Sequence, residues 1–305
     1  MPFERVAIIG LGLLGGSIGL AVREHLPGVK TVGYDADPDV RAKARELGLV
    51  QTIADDPAEA VRGADLIVLC VPVGAMRDAA KAIAPGLSPD AVVSDVGSSK
   101  QRVGKALAEE LPGHHVIPAH PVAGTEQSGP EAGFASLFDG RWCILTPPDG
   151  ADEGKLAALV HFWKALGSTV EVMDAEHHDM VLAVTSHIPH LIAYTIVGTA
   201  SDLEEVRRSE VIKYSAGGFR DFTRIAASDP TMWRDVFLHN QDAVLEMMDR
   251  FLGDLEAMRE AIKTGDGEAM FELFSRTRAI RRGILEQGQD DARPDFGRQD
   301  HTNDQ

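Results

Sequence analysis

The sequence predicts an α/β fold, an N-terminal doubly wound sheet followed by an all-helical C-terminal domain. Short, continuously apolar runs recur at 6–10, 31–35, 66–71, 91–96 and 115–118, as strands buried on both faces do. Helical stretches at 39–47, 74–84 and 100–111 separate them, and this alternation implies parallel strands joined by crossover helices. Further strands are read at 141–146 and 169–173, around a helix at 153–166. From about Asp174 the alternation gives way to helical spacing.

The first strand runs into Gly10-Leu11-Gly12-Leu13-Leu14-Gly15, and a helix is read at 18–25. In a Gly-x-Gly-x-x-Gly turn the first glycine permits the tight bend. The second lets backbone approach a pyrophosphate, and the third lets helix and strand pack closely. The helix N-terminus then offers free N–H groups to the anion. The second strand ends in Asp35, twenty residues beyond Gly15. An acidic residue there accepts hydrogen bonds from ribose hydroxyls and repels a 2′-phosphate, which favours NAD over NADP despite the nearby Arg41. The domain is therefore of Rossmann type. The predicted cofactor contacts are Gly10, Leu11, Gly12, Leu13, Leu14, Gly15 and Asp35, with Val71 and Pro72 at the carboxyl edge of the sheet.

Two segments supply reactive side chains at that edge: Asp95-Val96-Gly97-Ser98-Ser99-Lys100, and His120-Pro121-Val122-Ala123-Gly124-Thr125-Glu126. His120, in a loop restrained by Pro121, could take a hydroxyl proton while hydride leaves the same carbon. Ser98 could bond the same oxygen or orient the histidine. A lone loop histidine is otherwise a structural residue. Lys100 reads as a first-turn helix residue, with a catalytic amine as the alternative. His187 and His190 are three apart and can share a helix face. No HExxH motif or cysteine cluster accompanies them, so no metal site is expected. Glu176-His177-His178-Asp179 reads as a solvated helix start, and His239 as equally plain. Arg220 and Arg224, four apart, suit carboxylate binding, the alternative being a surface ion pair with Asp221. Asp229-Pro230 reads as a cap and first turn.

The 305 residues carry a net charge of −17, with 44% hydrophobic and 25% charged residues. A nucleic-acid or anionic-membrane partner is disfavoured, because phosphate binding needs a basic surface. The two cysteines, Cys70 and Cys143, lie in apolar runs and read as buried thiols of a cytoplasmic protein, and no leader is read at the N-terminus. The apolar stretch 180–200 contains His187, Pro189 and His190 and reads as a buried helix, not a membrane span. Val244, Met248, Phe251, Leu255, Met258 and Ile262 form one helical stripe. It packs either on helices of the same chain or in a homodimer seam. The polar tail at 288–305, with five Asp and two Arg, should be disordered.

Taken in order, GLGLLGGS, DVGSSK, HPVAGTEQSG, SHIPH and GGFRDFTRIAASDPTMW resemble the prephenate/arogenate (cyclohexadienyl) dehydrogenases of tyrosine biosynthesis, from about Glu4 to Gly288. The resemblance implies a nucleotide domain at 1–173, a helical substrate and dimerisation domain at 174–287 and a tail at 288–305. It implies that His120 is the catalytic histidine and that Ser98 assists it. It implies a substrate site of His190, Gly217, Arg224, Trp233 and Glu126, with Arg224 on the ring carboxylate and His187 a weaker match. Arg220 stands where many relatives have Lys. The implied substrate is a small dicarboxylate, prephenate or L-arogenate. Two alternatives are a β-hydroxyacid dehydrogenase, for which Lys213 is the available lysine, and a non-catalytic NAD-binding protein.

Overall fold

The computed structural model describes residues 2–125, 127–202 and 217–286. Strands β1 (Arg5–Ile9), β2 (Lys30–Tyr34), β3 (Thr52–Ile53), β4 (Leu66–Leu69), β5 (Val92–Asp95) and β6 (His115–Val116) form one sheet in the order β3-β2-β1-β4-β5-β6. Every neighbouring pair is parallel. Side chains alternate between two cores, as the two-residue strand period requires. Val6, Ile8, Leu66 and Val68 face helices α1 (Leu13–His25) and α6 (Glu153–Ala165), where Phe162 and Trp163 are buried. Ala7, Ile9, Ile67 and Leu69 face α4 (Met76–Ile83) and α5 (Gln101–Glu110), against Met76, Ile83 and Leu107. Helices α2 (Pro38–Leu47) and α3 (Pro57–Ala60) complete the crossovers.

Helix α1 begins at Leu13, five residues before its expected start. Gly15 and Gly16 have poor helix propensity, yet packing recruits them. A Cβ on Gly15 would lie 1.9 Å from the Gly10 carbonyl oxygen, and one on Gly16 would lie 3.0 Å from Leu49. Gly10 has a φ of +99°, and a Cβ there would come within 2.6 Å of the Cys70 carbonyl oxygen.

The later strands leave this sheet. Strands β7 (Ala119–Pro121), β8 (Trp142–Leu145) and β9 (Thr169–Val172) form a second one, with β7 antiparallel and β9 parallel to β8. His120, opposite Ile144, is thus in the middle of a strand and not in a loop. Pro121 obscured this in the sequence, since proline cannot donate to a ladder and is confined to edges and ends of strands.

Beyond β9 the chain is helical: α7 (Ala175–Leu182), a π-helical turn (Ala183–His187), α8 (Ile188–Ser201), then helices Gly217–Thr223, Pro230–His239, Gln241–Thr264 and Gly267–Glu286. Asp37, Asp56, Asp152, Asp174 and Asp229 cap the helices that follow them. Some of the acidity is therefore structural, and the Asp229-Pro230 reading holds.

The chain divides into two compact units, Met1–Met247 and Met248–Gln305. The change of pattern at 174 lies inside the first, where α7 packs on α5 and Pro230–His239 packs on the 3₁₀ turn Val73–Ala75 after β4. In the second unit, Gly265, at φ +71°, ends one helix before Gly267–Glu286 begins.

The 180–200 stretch is not the buried helix expected. Ala175–Ser201 is long and apolar enough by length and composition to cross a membrane, but only 28% of its most apolar window is buried. Val184, Ile196 and Val197 are exposed in the isolated chain. Within the Gln241–Thr264 stripe Val244 is buried, whereas Leu255 and Ile262 are exposed. Cys143 is buried and Cys70 only half-buried, and both are free thiols.

The glycine contacts separate structural from binding roles. Gly15→Ala forces a Cβ into backbone and should destabilise the protein by about 1–3 kcal/mol. A Cβ at Gly12 meets nothing within 4 Å, so Gly12→Ala should cost about 1 kcal/mol or less. Thermal unfolding of the two variants checks the order, and equal losses would refute it.

Candidate active site

The nucleotide loop lies at the carboxyl end of β1, beside β4, where the strand order reverses. Doubly wound sheets bind ligands there. Gly12 caps α1 with no side-chain hydrogen bond, which leaves the first-turn N–H groups for an anion. The open space over Gly12 admits the anion to the backbone, so the residues present fit a dinucleotide. Asp35 also shapes the loop. Its two carboxylate oxygens accept the Leu11 N–H at 2.8 Å and the Asp37 N–H at 3.0 Å. Lone pairs remain for ribose hydroxyls. The Arg41 guanidinium is turned to the Asp35 and Ala36 carbonyls and to Asp55. Val71 is half-buried, and Pro72 leads into the Val73–Ala75 turn. Gly74 lies against Asp235 there: a Cβ would meet its carboxylate at 2.5 Å and the side chain would have to shift.

The polar centre is a chain of buried groups. His120 Nδ1 lies 2.9 Å from His178 Nε2, and His178 Nδ1 lies 2.8 Å from Asp179 Oδ1. The carboxylate can only accept, so His178 carries its proton on Nδ1 and presents a bare Nε2. His120 must then donate from Nδ1, which leaves its own Nε2 as a free lone pair. Asp179 also accepts the backbone N–H groups of Lys100 at 2.7 Å and Gln101 at 2.9 Å, at the start of α5. Burial, followed by the neighbouring His178 and Lys100, holds His120 well below the usual histidine range. It is a neutral base at physiological pH.

The sequence reading passed over His178 and Asp179 as solvated. Only Glu176 and His177 are exposed; the next two residues turn inward. The available signal was the Asp174 cap, which fixes the helix phase: the face carrying His178 and Leu182 points to the core. Lys100 was also read as a plain first-turn residue. It is completely buried and paired with Asp95.

A second cluster adjoins the first. Asn240 Nδ2 donates to the Asp179 carbonyl at 2.8 Å and to His187 Nδ1 at 3.0 Å. His187 therefore carries its proton on Nε2, a buried donor with no partner among the described residues. The Ser98 backbone lies beside His187 but outside hydrogen-bond geometry with Nε2. His187 meets the Trp233 ring edge-on at 6.0 Å, and His190 stacks on the same ring at 3.6 Å. His190 Nδ1 donates to the Ser186 carbonyl. Burial first, and less strongly the charge of Arg224, lower the His190 pKa, against the Ser186 carbonyl that raises it. His120 thus meets His178, and His187 and His190 meet on the Trp233 ring, while Ser98 is half-buried and Arg224 exposed. Gly217 and Arg220 lie on an exposed helix, where Arg220 pairs with Asp221 at 3.8 Å. Glu126 and Lys213 lie outside the described residues.

Burial lowers the His187 pKa from 6.5 to about 4. Between these values the unfolded chain binds the proton and the native state does not, so stability falls as pH drops through this window. His187→Gln should flatten the pH dependence of Tm between pH 6.5 and 4 relative to wild type. Superimposable profiles would contradict a native neutral imidazole.

Comparison with known proteins gives a consistent set of relatives. The family profile "Prephenate dehydrogenase, nucleotide-binding domain" matches residues 18–172. "Prephenate dehydrogenase, dimerization domain" matches residues 174–276. A cyclohexadienyl dehydrogenase of Zymomonas mobilis is 45% identical over 279 residues, covering 92% of this chain and 95% of the relative. A prephenate dehydrogenase of Bacillus subtilis is 33% identical, covering 92% and 76%. The crystal structure of prephenate dehydrogenase from Aquifex aeolicus in complex with hydroxyphenyl propionate and NAD+ superposes with a TM-score of 0.86 at 35% identity, covering 92% of this chain and 98% of that one.

Proposed function

From the chain's membership of the prephenate dehydrogenase family, we propose that it carries out the NAD-dependent oxidative decarboxylation of prephenate to 4-hydroxyphenylpyruvate, of L-arogenate to L-tyrosine, or of both. The protein is an oxidoreductase with a dehydrogenase role in tyrosine biosynthesis. The observation that carries the finer reading is the tautomer imposed on His120. A neutral imidazole with its lone pair on Nε2 suits a ring hydroxyl that must lose its proton.

The Gly10–Gly15 loop and Asp35 would hold NAD+, which would supply a hydride acceptor when bound. His120 Nε2 takes the C4 hydroxyl proton as the C4–H bond breaks. Its Nδ1–H stays on His178, whose orientation Asp179 fixes. The bond from the ring to the carboxylate then breaks and CO2 leaves; its electron pair passes through the ring to the C4 oxygen, which takes the proton back from His120, and aromatisation makes the step effectively irreversible. Ser98 is assigned to the reacting oxygen. Arg224, His190 and Trp233 are assigned to the anionic substrate, with Arg224 on a carboxylate. Gly217, Glu126 and Arg220 are proposed at the margin of this site.

The domain boundary is proposed at 173/174, where the two family profiles meet. A cytoplasmic homodimer is proposed. The dimerisation profile and the exposed Leu252, Leu255, Ile262, Phe271 and Phe274 support the dimer. Sedimentation should give twice the chain mass of 32.8 kDa; a monomer at micromolar concentration would exclude the dimer.

His120→Asn should lower kcat by about 100-fold or more with the fold intact. Because protonation silences the base, the acid limb of wild-type kcat/KM should lie below pH 6.5 and vanish in the variant. Assays of prephenate and L-arogenate with NAD+ and NADP+ identify the substrate pair. Near wild-type turnover by His120→Asn, or no turnover of either substrate by wild type, would sink the assignment.

A further inference from the structure

We propose that the buried Asp95–Lys100 pair positions the reacting histidine, standing in for a missing neighbour strand along the open edge of β7. The inference rests on reading His120 as the base.

Strand β7 has one partner, β8. Its alternate residues serve that ladder: the Pro118 carbonyl accepts the Thr146 N–H at 2.9 Å, and the Val122 N–H donates to the Trp142 carbonyl at 2.7 Å. In an antiparallel pair the residues between face the other way, so both polar groups of Ala119 point to the unpaired edge. A buried edge left unsatisfied is costly. Here two side chains complete it. Asp95 Oδ1 accepts the Ala119 N–H at 3.2 Å, and Lys100 Nζ donates to the Ala119 carbonyl at 2.7 Å. Lys100 Nζ also bonds Asp95 Oδ2, which accepts the Gly97 N–H at 2.8 Å. Carboxylate and ammonium thus bracket Ala119, the residue immediately before His120.

Lys100 also fixes the other end of the relay. Its backbone N–H is held by Asp179, the residue that orients His178. One residue therefore ties β7 and α7 to the start of α5 and sets the 2.9 Å separation of His120 and His178. Both Asp95 and Lys100 are fully buried, and neither points to solvent where a surface role would put it. A pair of this kind is weak evidence for stability, because desolvation offsets the Coulomb gain. Its specific contacts to Ala119 argue for placement instead.

The pair also bears on proton affinity. The groups around His120 are His178 and Asp179 from α7, His187 from the π-helical turn, Lys100 and Asp95, and the Cys143 thiol of β8 beside the His120 backbone. Lys100 is the cation of the set, and it disfavours a second positive charge on His120.

The test is Lys100→Met, assayed at matched folded concentration by circular dichroism. Kcat should fall about 10–100-fold, as expected for a misplaced reacting group. KM for substrate and for NAD+ should stay within about threefold, since neither is bound by Lys100. The acid limb of the kcat profile should move to higher pH with the cation gone. Asp95→Asn/Lys100→Met removes the unpaired carboxylate and should recover stability while keeping the low kcat. A wild-type measurement needs no variant: ¹⁵N-lysine NMR should show a slowly exchanging Lys100 ammonium whose shift follows the titration of His120 and is flat in His120→Asn. Wild-type kcat and acid limb in either folded variant would overturn the inference, as would a Lys100 signal indifferent to His120. If His120→Asn itself turns over normally, the base assignment fails first. If it is inactive while Lys100→Met is normal, only the positioning role fails.

Discussion

The Asp179 carboxylate is the contact on which the rest of the centre depends. Its two oxygens receive the Lys100 and Gln101 amides and the His178 ring N–H, while its backbone carbonyl receives Asn240. One residue therefore closes the N-terminus of α5 and fixes a histidine tautomer through its carboxylate, and holds the asparagine that precedes the Gln241–Thr264 helix through its backbone carbonyl. A carboxylate at a helix N-terminus is favoured by the free N–H groups and the helix dipole. Burial strengthens each of these hydrogen bonds and makes the loss of any partner more costly.

Two kinds of order meet at this carboxylate. The Rossmann sheet supplies rigidity, because its central strands β1, β4 and β5 are buried on both faces and cannot slip by one residue without exposing a core face. The helical segment supplies the imidazole and indole rings His178, His187, His190 and Trp233. The π-helical turn at Ala183–His187 lies between the relay and the stacked His190–Trp233 pair. A π turn inserts an extra residue into a helix and rotates the succeeding turns about its axis. In this helix it leaves His187 inward, with Ile188 and Ala193 the buried positions of α8.

Electrostatically the site is an exception to the chain that contains it. A net charge of −17 repels a dicarboxylate at long range, but charges beyond about 8 Å are screened at physiological salt. Several acidic groups are spent on helix caps, and Asp95 is neutralised by its buried lysine. The three histidines His120, His178 and His187 stay neutral, because burial opposes a charge on each of them.

Local sequence determined the parallel sheet, the glycine loop with Asp35 and the Asp229-Pro230 cap, and left His120 between a proton acceptor and a structural residue until the motif likeness singled it out. The first three rest on periodicity and on backbone demands that few residue types meet, which is why they survive without tertiary context. The motif likeness extended that reading to Ser98, His190, Trp233 and Arg224. Only the folded chain decided that His120 lies in a strand of a second sheet, and that His178 and Asp179 face inward. The same holds for Lys100 spanning an open strand edge and for the 180–200 helix leaving apolar flanks bare. The polar contacts among these are made across 19 to 79 residues of sequence. Hydrogen-bond partners at that separation are fixed by packing, and no local pattern encodes them.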